Sequence, residues 1–307
     1  MILIIAPEDD IHALVVGEWI RKAGKEFYIW NSTWFPWKHR ISWSSSETTL
    51  HVGNMTFDIS KLSTIWWRRF RKPTVSPVIT DTLVKQFCRS EATALIKSIV
   101  HKCTSVINNP EAELHADSKI LQLERAEFLG LAIPKTLVSN NIEDIIDFIK
   151  TTGRTVCKNL GSDYPHGVFT KMCTVEDFKN DLTDGLTPTI IQELVPCEAD
   201  VRVCIIGDNL FAGALKHSNS IKDVDWRIKP FGWKSHQLPH DLREKLIKLV
   251  RSFNLDTASI DLRLTPTGNY VFFEINPNGQ FLFLEIETGL PISKTFAQYL
   301  IDHKKNN

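Results

Sequence analysis

The chain has 307 residues, 43% of them hydrophobic, and its 36 Lys plus Arg balance 36 Asp plus Glu. That length suits two or three domains with sizeable cores, and the neutral balance gives no reason for long-range attraction to nucleic acid or an anionic membrane. Six scattered cysteines (Cys88, Cys103, Cys157, Cys173, Cys197, Cys204) form no CxxC pair. This argues against a zinc knuckle or a disulfide framework and fits a reducing cytoplasm.

The opening MILIIA reads as a β-strand, since five apolar residues are too few for a signal segment or a membrane span. A helical pattern from Ile11 to Ala23, closed by Gly24, leads to a second strand, EFYIW. A third, Ser63 to Phe70, precedes a loop with Pro73 and Pro77, a long helix from Thr80 to Lys102, and VINNP. Residues 1–107 therefore read as a parallel αβ domain. The middle section, 108–196, begins with a helix from Ala116 to Leu129 stopped by Gly130, then a helix capped by Asn141 and ended by Gly153. TVCKNL and GVFTKM follow as strands around the loop GSDYPHG, then a short helix at TVEDF and a strand, TIIQELV. In 197–307, ADVRVCIIG and LFAGALKH flank a GDN turn, and TASIDLRLT and YVFFEIN flank PTGN, with a polar loop to Pro239 and a helix to Phe253 between them. A helix from Ile292 to His303 closes the chain. Two hairpins predict an antiparallel sheet, so the fold class is α/β with an α+β C-terminal part.

FFEINPNGQ (Phe272 to Gln280) ends a buried-looking strand in oxygen-bearing side chains. Period-2 alternation puts Glu274 and Asn276 on one face, and the hairpin brings Asp261 opposite them. Such a hard-oxygen set suits Mg²⁺ with a nucleotide triphosphate, whereas solvation of a hairpin end is the bland reading. Neither GxxxxGK[ST] nor GxGxxG occurs. Lys119, in ADSK, and Lys158, ending VCKNL, are the candidate phosphate partners, with GSDYPHG as a lid. QELV (Gln192 to Val195) ends a strand where a base and sugar could lie. ADVRV and IDLR put Asp200 beside Arg202 and Asp261 beside Arg263. These arginines read either as stabilisers of developing negative charge or as internal ion pairs.

WWRRFRK interleaves aromatics with Arg68, Arg69 and Arg71, and reads as a solvated strand edge or as a contact for an acidic peptide. VDWRIKPFGW, with Arg227, is a second candidate for approach to substrate or nucleotide. The ten histidines show no ligand spacing, with His166 in the lid loop and His217 near the sheet edge as weak exceptions.

Taken together, Lys119, Lys158, QELV, DVR, DLR and EINPNG resemble the ATP-grasp superfamily in their order. FFEINPNGQFLFLEIETGLPI, IWWRR and SKILQLERAEFLGLAIPKTLVSN look more narrowly like the graspetide synthetases, such as microviridin ligases. That resemblance implies an ATP-grasp fold with an N-terminal pre-ATP-grasp domain and nucleotide held between two α+β subdomains. It implies a cytoplasmic, homodimeric ATP- and Mg²⁺-dependent enzyme. Its substrate would be a ribosomal precursor peptide, with side-chain esters or amides formed through an acyl phosphate. Carried over, Lys119 and Lys158 would bind phosphates; Gln192, Glu193, Val195 and Asp200 would serve the nucleotide pocket. Asp261, Glu274 and Asn276 would hold Mg²⁺, Arg202 and Arg263 would face the reacting group, and Arg68, Arg69, Arg71 and Arg227 would meet the peptide. A stand-alone carboxylate–amine ligase and a non-catalytic nucleotide-binding regulator are the competing readings.

Overall fold

The computed structural model describes residues 1–103, 105–161, 170–179, 187–216 and 231–303. GSDYPHG beyond Gly161, Arg227, His166 and His217 lie outside them. The chain begins with a parallel sheet in which β1 (Ile2–Ile5) is buried throughout, as expected for a strand covered on both faces. α1 (Ile11–Lys22) starts where the Asp10 carboxylate accepts the Ala13 N–H at 2.9 Å, a side-chain N-cap. β2 (Phe27–Trp30) then pairs with β1.

A three-stranded antiparallel sheet follows, built from β3 (Arg40–Trp43), β4 (Thr48–Val52) and β5 (Met55–Asp58). It had no forecast, because its Ser/Thr-rich segments lack a clean apolar alternation. β6 (Thr64–Trp66), α2 (Thr82–Lys102) and β7 (Val106–Ile107) complete the parallel sheet in the order β2-β1-β6-β7. β6 is shorter than the expected Ser63 to Phe70. Arg68 turns inward beyond Trp66 and is only 1% exposed, so the solvated-edge reading of this arginine is wrong.

The expected Ala116–Leu129 helix is α4 (Lys119–Phe128), and a short helix without a forecast, α3 (Pro110–Ala116), precedes it. Ser118 restarts the helix by capping the Leu121 N–H, which leaves Lys119 as the first helical residue. Next come β8 (Thr136–Ser139), α5 (Ile142–Thr152), β9 (Thr155–Lys158), β10 (Lys171–Cys173), α6 (Val175–Lys179) and β11 (Thr189–Glu193). Asn141 caps α5 through the Glu143 N–H, and Gly153 ends it at φ +90°, a backbone state that side chains disfavour. The strands form an antiparallel sheet, β10-β9-β11-β8, packed on Ile145 and Ile149 of α5.

The largest sheet contains β12 (Ala199–Ile206), β13 (Asn209–Lys216), β14 (Lys234–Ser235), β15 (Thr257–Leu264) and β16 (Tyr270–Asn276). Its order is β14-β13-β12-β15-β16, antiparallel throughout as the hairpins predicted. Alternation along β12 sends Val201, Val203 and Ile205 into a core shared with α3, α4 and α7 (His240–Ser252). Cys204 and Ile206 face the other way, into a core shared with β1, α1, Trp66, α8 (Leu282–Thr288) and α9 (Ile292–Asp302). α8 was not anticipated, because Leu282 to Thr288 follows the polar turn without a side-chain cap. Among the described residues, no helix is long and apolar enough to cross a membrane.

Candidate active site

Asp261 on β15 lies directly opposite Glu274 on β16 only because the ladder slips between Asp261 and Leu262. Beyond the slip Leu262 pairs with Phe272, which leaves Phe273 as an extra residue. Side chains alternate faces along a strand, so without this bulge Asp261 would oppose Phe273 and Glu274 would point to the other side of the sheet. The bulge thus creates the acid pair. The Asn276 amide joins it, with Nδ2 donating to Glu274 Oε1 at 3.1 Å and to Asp261 Oδ2 at 3.4 Å.

Cations surround this pair. Lys119 Nζ is 3.5 Å from Glu274 Oε2, and Arg202 Nη1 donates to Asp261 Oδ1 at 2.8 Å. Burial alone would push the Glu274 carboxyl up, yet Lys119, the Asn276 amide, Lys158 and Arg202 together hold it at about 2. Asp261 goes the other way, to about 6, because burial and the neighbouring Glu274 outweigh Arg202. Two close carboxylates pushed apart in this manner form an anionic pair that a further cation would relieve.

Lys158 reaches this place from the other sheet. Its Nζ lies 4.6 Å from the centre of the Phe273 ring, and burial pulls its ammonium below the usual range, against Glu274. Arg263 approaches the same ring, 5.2 Å from its centre, and pairs with Asp200 at 2.8 Å. Arg202 and Arg263 are therefore both in cross-strand ion pairs, one of the two arrangements considered from sequence. Val195 is buried and its carbonyl accepts from Arg263 at 3.4 Å. Gln192 donates to Thr136 Oγ1 at 2.9 Å while its buried Oε1 has no hydrogen-bond partner among the described residues, and Glu193 accepts the Lys135 N–H at 3.0 Å. The QELV strand end thus adjoins the cationic cluster through Arg263.

The arginines expected to meet a peptide are placed differently. Arg68 is buried beneath the NPNG turn and donates to the Asn278 carbonyl at 2.6 Å. Asp10 lies 3.5 Å from both Arg68 and Arg69; Arg69 is partly exposed, and Arg71 is exposed. Apart from Arg202, the turn's other supports had no sequence signal. Asn108 donates to the Pro277 carbonyl at 3.2 Å, Arg202 to Gln280 at 3.1 Å, and neutral His12 accepts from the Phe281 and Leu282 N–H groups at 3.1 and 3.3 Å. Burial, helped by Arg68, lowers the His12 pKa to about 3, which keeps the imidazole an acceptor. Burial also pushes the Glu113 carboxyl well up, against hydrogen bonds from Asn278 and Asn108. Gly279 is needed for closeness, since a Cβ there would sit 2.3 Å from Ser259 Cβ and 2.7 Å from Arg202 Nη2.

The residues fit a divalent hard cation. The donor set is two carboxylates and an amide, and the Asn276 Nδ2 stands between the two acids where a flipped amide would present its oxygen. Lys119 and Lys158, arriving on separate elements, suit the phosphates of a nucleotide beside that cation.

Known proteins share this arrangement's frame. The chain is similar over 98% of its length to the macrocyclase MdnC from Microcystis aeruginosa MRC, solved bound with precursor peptide MdnA, at 28% identity and a TM-score of 0.88, covering 99% of that chain. A RiPP-associated ATP-grasp ligase from Chryseobacterium gregarium, solved in complex with ADP and a leader and core peptide, matches at 25% identity and a TM-score of 0.89. That match covers 100% of this chain and 98% of that one. A glutathione synthetase from Nostoc sp. (strain PCC 7120 / SAG 25.82 / UTEX 2576) is 28% identical over 121 residues, 38% of this chain, and the match spans only 36% of that relative. Residues 116–300, which carry both lysines, the acid pair and the NPNG turn, match the model of the RimK-like ATP-grasp domain, and the chain belongs to that family.

Proposed function

We propose that this chain is an ATP-dependent ligase that crosslinks side chains of a ribosomal precursor peptide, joining Asp or Glu carboxylates to Ser or Thr hydroxyls or Lys amines. The observation that carries the reading is the convergence of Lys119 and Lys158 on the Asp261–Glu274–Asn276 set. The full-length likeness to a macrocyclase solved with its precursor peptide supports the substrate class. Bound Mg·ATP would supply the γ-phosphoryl group: its transfer to the peptide carboxylate would release ADP, and attack of the hydroxyl or amine on the resulting acyl phosphate would form the ester or amide and release inorganic phosphate, a leaving group that a free carboxylate lacks.

The chain's residues divide the remaining work. Asp261, Glu274 and Asn276 would hold Mg²⁺, and Lys119 and Lys158 offset phosphate charge. Gln192, Glu193 and Val195 border the base and sugar, and Asp200 holds Arg263 in place. Arg202 and Arg263 supply positive charge behind the acid pair, beside the carboxylate being activated. Arg69 and Arg71, exposed beside the buried Arg68, and Arg227 meet the acidic peptide. With domain boundaries at residues 107 and 196, the nucleotide would be held between the β8–β11 sheet and the five-stranded sheet. The working enzyme is a cytoplasmic homodimer.

The test is mass spectrometry of a neighbouring short reading frame's peptide after incubation with enzyme, ATP and Mg²⁺. Loss of 18 Da per crosslink with matching ADP is expected, and both should vanish in Glu274→Gln. Unchanged peptide without ADP would sink the reading. The likeness to a glutathione synthetase favours a second reading, a carboxylate–amine ligase. ADP released with free amino acids and no peptide would favour it.

A further inference from the structure

We propose that His12, on α1, and Arg68, just beyond β6, are positioning residues for the metal ligand Asn276, acting through the backbone of the turn that follows it. The inference rests on the reading of Asp261, Glu274 and Asn276 as a metal site.

Asn276 begins a tight turn in which its own carbonyl accepts the Gly279 N–H at 3.1 Å. Pro277 follows at once and locks one backbone torsion, so a shift at Asn278 or Phe281 has few bonds in which to dissipate before it reaches Asn276. Side chains from elsewhere hold the turn at Pro277, Asn278, Gln280, Phe281 and Leu282. Three of these five anchors belong to two residues, His12 and Arg68. His12 takes two N–H groups, and Arg68 makes the shortest bond, 2.6 Å, a charge-assisted one.

The two anchors are tied together. Asp10 caps α1, which carries His12 in its first turn, and the same carboxylate stands 3.5 Å from Arg68. His12 also packs edge-on against Phe281, with ring centroids 4.7 Å apart. Arg68 is 1% exposed and pairs with the equally buried Asp10, so removing it alone would cost stability as well as the grip on the Asn278 carbonyl. The test must therefore separate the two effects. Groups that orient a metal ligand without touching the metal commonly change metal affinity by about 10- to 100-fold.

The test measures Mn²⁺ binding by electron paramagnetic resonance in saturating ADP, without turnover. Full-length enzyme should bind one Mn²⁺, and Glu274→Gln should lose it; if the parent binds none, the metal reading itself fails. Given parent binding, His12→Leu and Arg68→Lys should each weaken Mn²⁺ by about 10-fold or more, and His12→Gln, whose amide oxygen can accept the same N–H groups, should recover most of the loss. A core variant in a cluster that shares no residue with the five-stranded sheet or the turn, Ile145→Ala, matched for loss of melting temperature, should leave Mn²⁺ affinity unchanged. Parent-like Mn²⁺ affinity in His12→Leu overturns the inference. So does an equal loss in Ile145→Ala. Should Arg68→Lys not fold, the His12 pair and the Ile145 control decide.

Discussion

Acid should destabilise this protein more steeply than it destabilises a His12→Gln variant, because His12 is folded into an acceptor role that only its neutral form can fill. The imidazole is buried, faces Asp10, Arg68, Arg69 and Arg202, and has its pKa lowered from 6.5 to about 3, burial being the largest cause. With the folded value depressed, the unfolded chain takes up a proton below pH 6.5 that the folded chain refuses. The penalty is therefore absent above pH 6.5 and grows as pH falls, by about 1.4 kcal/mol per pH unit. It reaches about 2 kcal/mol at pH 5 and about 3 kcal/mol at pH 4 relative to a residue that does not titrate. Gln keeps an oxygen for the Phe281 and Leu282 N–H groups and removes the titration. Urea unfolding of both proteins at pH 7, 6, 5 and 4 gives the difference directly, with all other acidic and basic groups cancelling. Parallel stability curves for the two proteins would refute the buried neutral imidazole and its acceptor role.

Gly279→Ala should cost about 1 to 3 kcal/mol in thermal unfolding, since its Cβ would overlap Ser259 at 2.3 Å and press Arg202 at 2.7 Å. Its ATP KM should rise with the displacement of Arg202. Gln122→Leu should lower stability by about 1 to 3 kcal/mol, because it strips the buried Ile275 N–H and carbonyl of partners at 2.9 and 3.0 Å. Lys158→Met should raise the ATP KM by about 10-fold or more in steady-state ADP release, the size of a lost charge-assisted bond, while far-UV circular dichroism stays unchanged.

The parts of the site that were legible in the sequence are those written in short-range pattern. Alternation and turn residues predict the β12–β13 and β15–β16 hairpins, and Asn141 and Gly153 mark the ends of α5 through capping chemistry that acts within a few residues. The meeting of Asp261 with Glu274 depended on more than alternation. Counting outward from the Leu264–Tyr270 pair sets Asp261 against Phe273, and only the bulge corrects the parity. Nothing local in IDLR or FFEIN marks where the extra residue goes. It places Phe272 and Ile275, three apart, in the same core, which is a tertiary preference. His12, Asn108 and Arg68 were illegible for the same reason, since their partners lie 269, 169 and 210 residues away. In WWRRFRK a run of basic residues suggested surface. Burial of Arg68 follows from Asp10 and the Asn278 carbonyl, neither of which is near it in sequence.

The core that joins β1 and Trp66 to Phe296, Ala297 and Leu300 has a consequence for the order in which the molecule can assemble. Thr64 Oγ1 donates to the Leu300 carbonyl at 3.0 Å, so the first-made sheet waits for a helix made more than two hundred residues later. At a synthesis rate of about 5 to 20 residues per second, that wait lasts on the order of ten seconds or more. During it, the cluster of Ile2, Ile4, Ala13, Val16 and Ile20 lacks the cover that Phe296, Ala297 and Leu300 supply. Closure of the N-terminal core, and with it a firm seat for Arg68 and His12 beneath the turn that follows Asn276, therefore depends on α9.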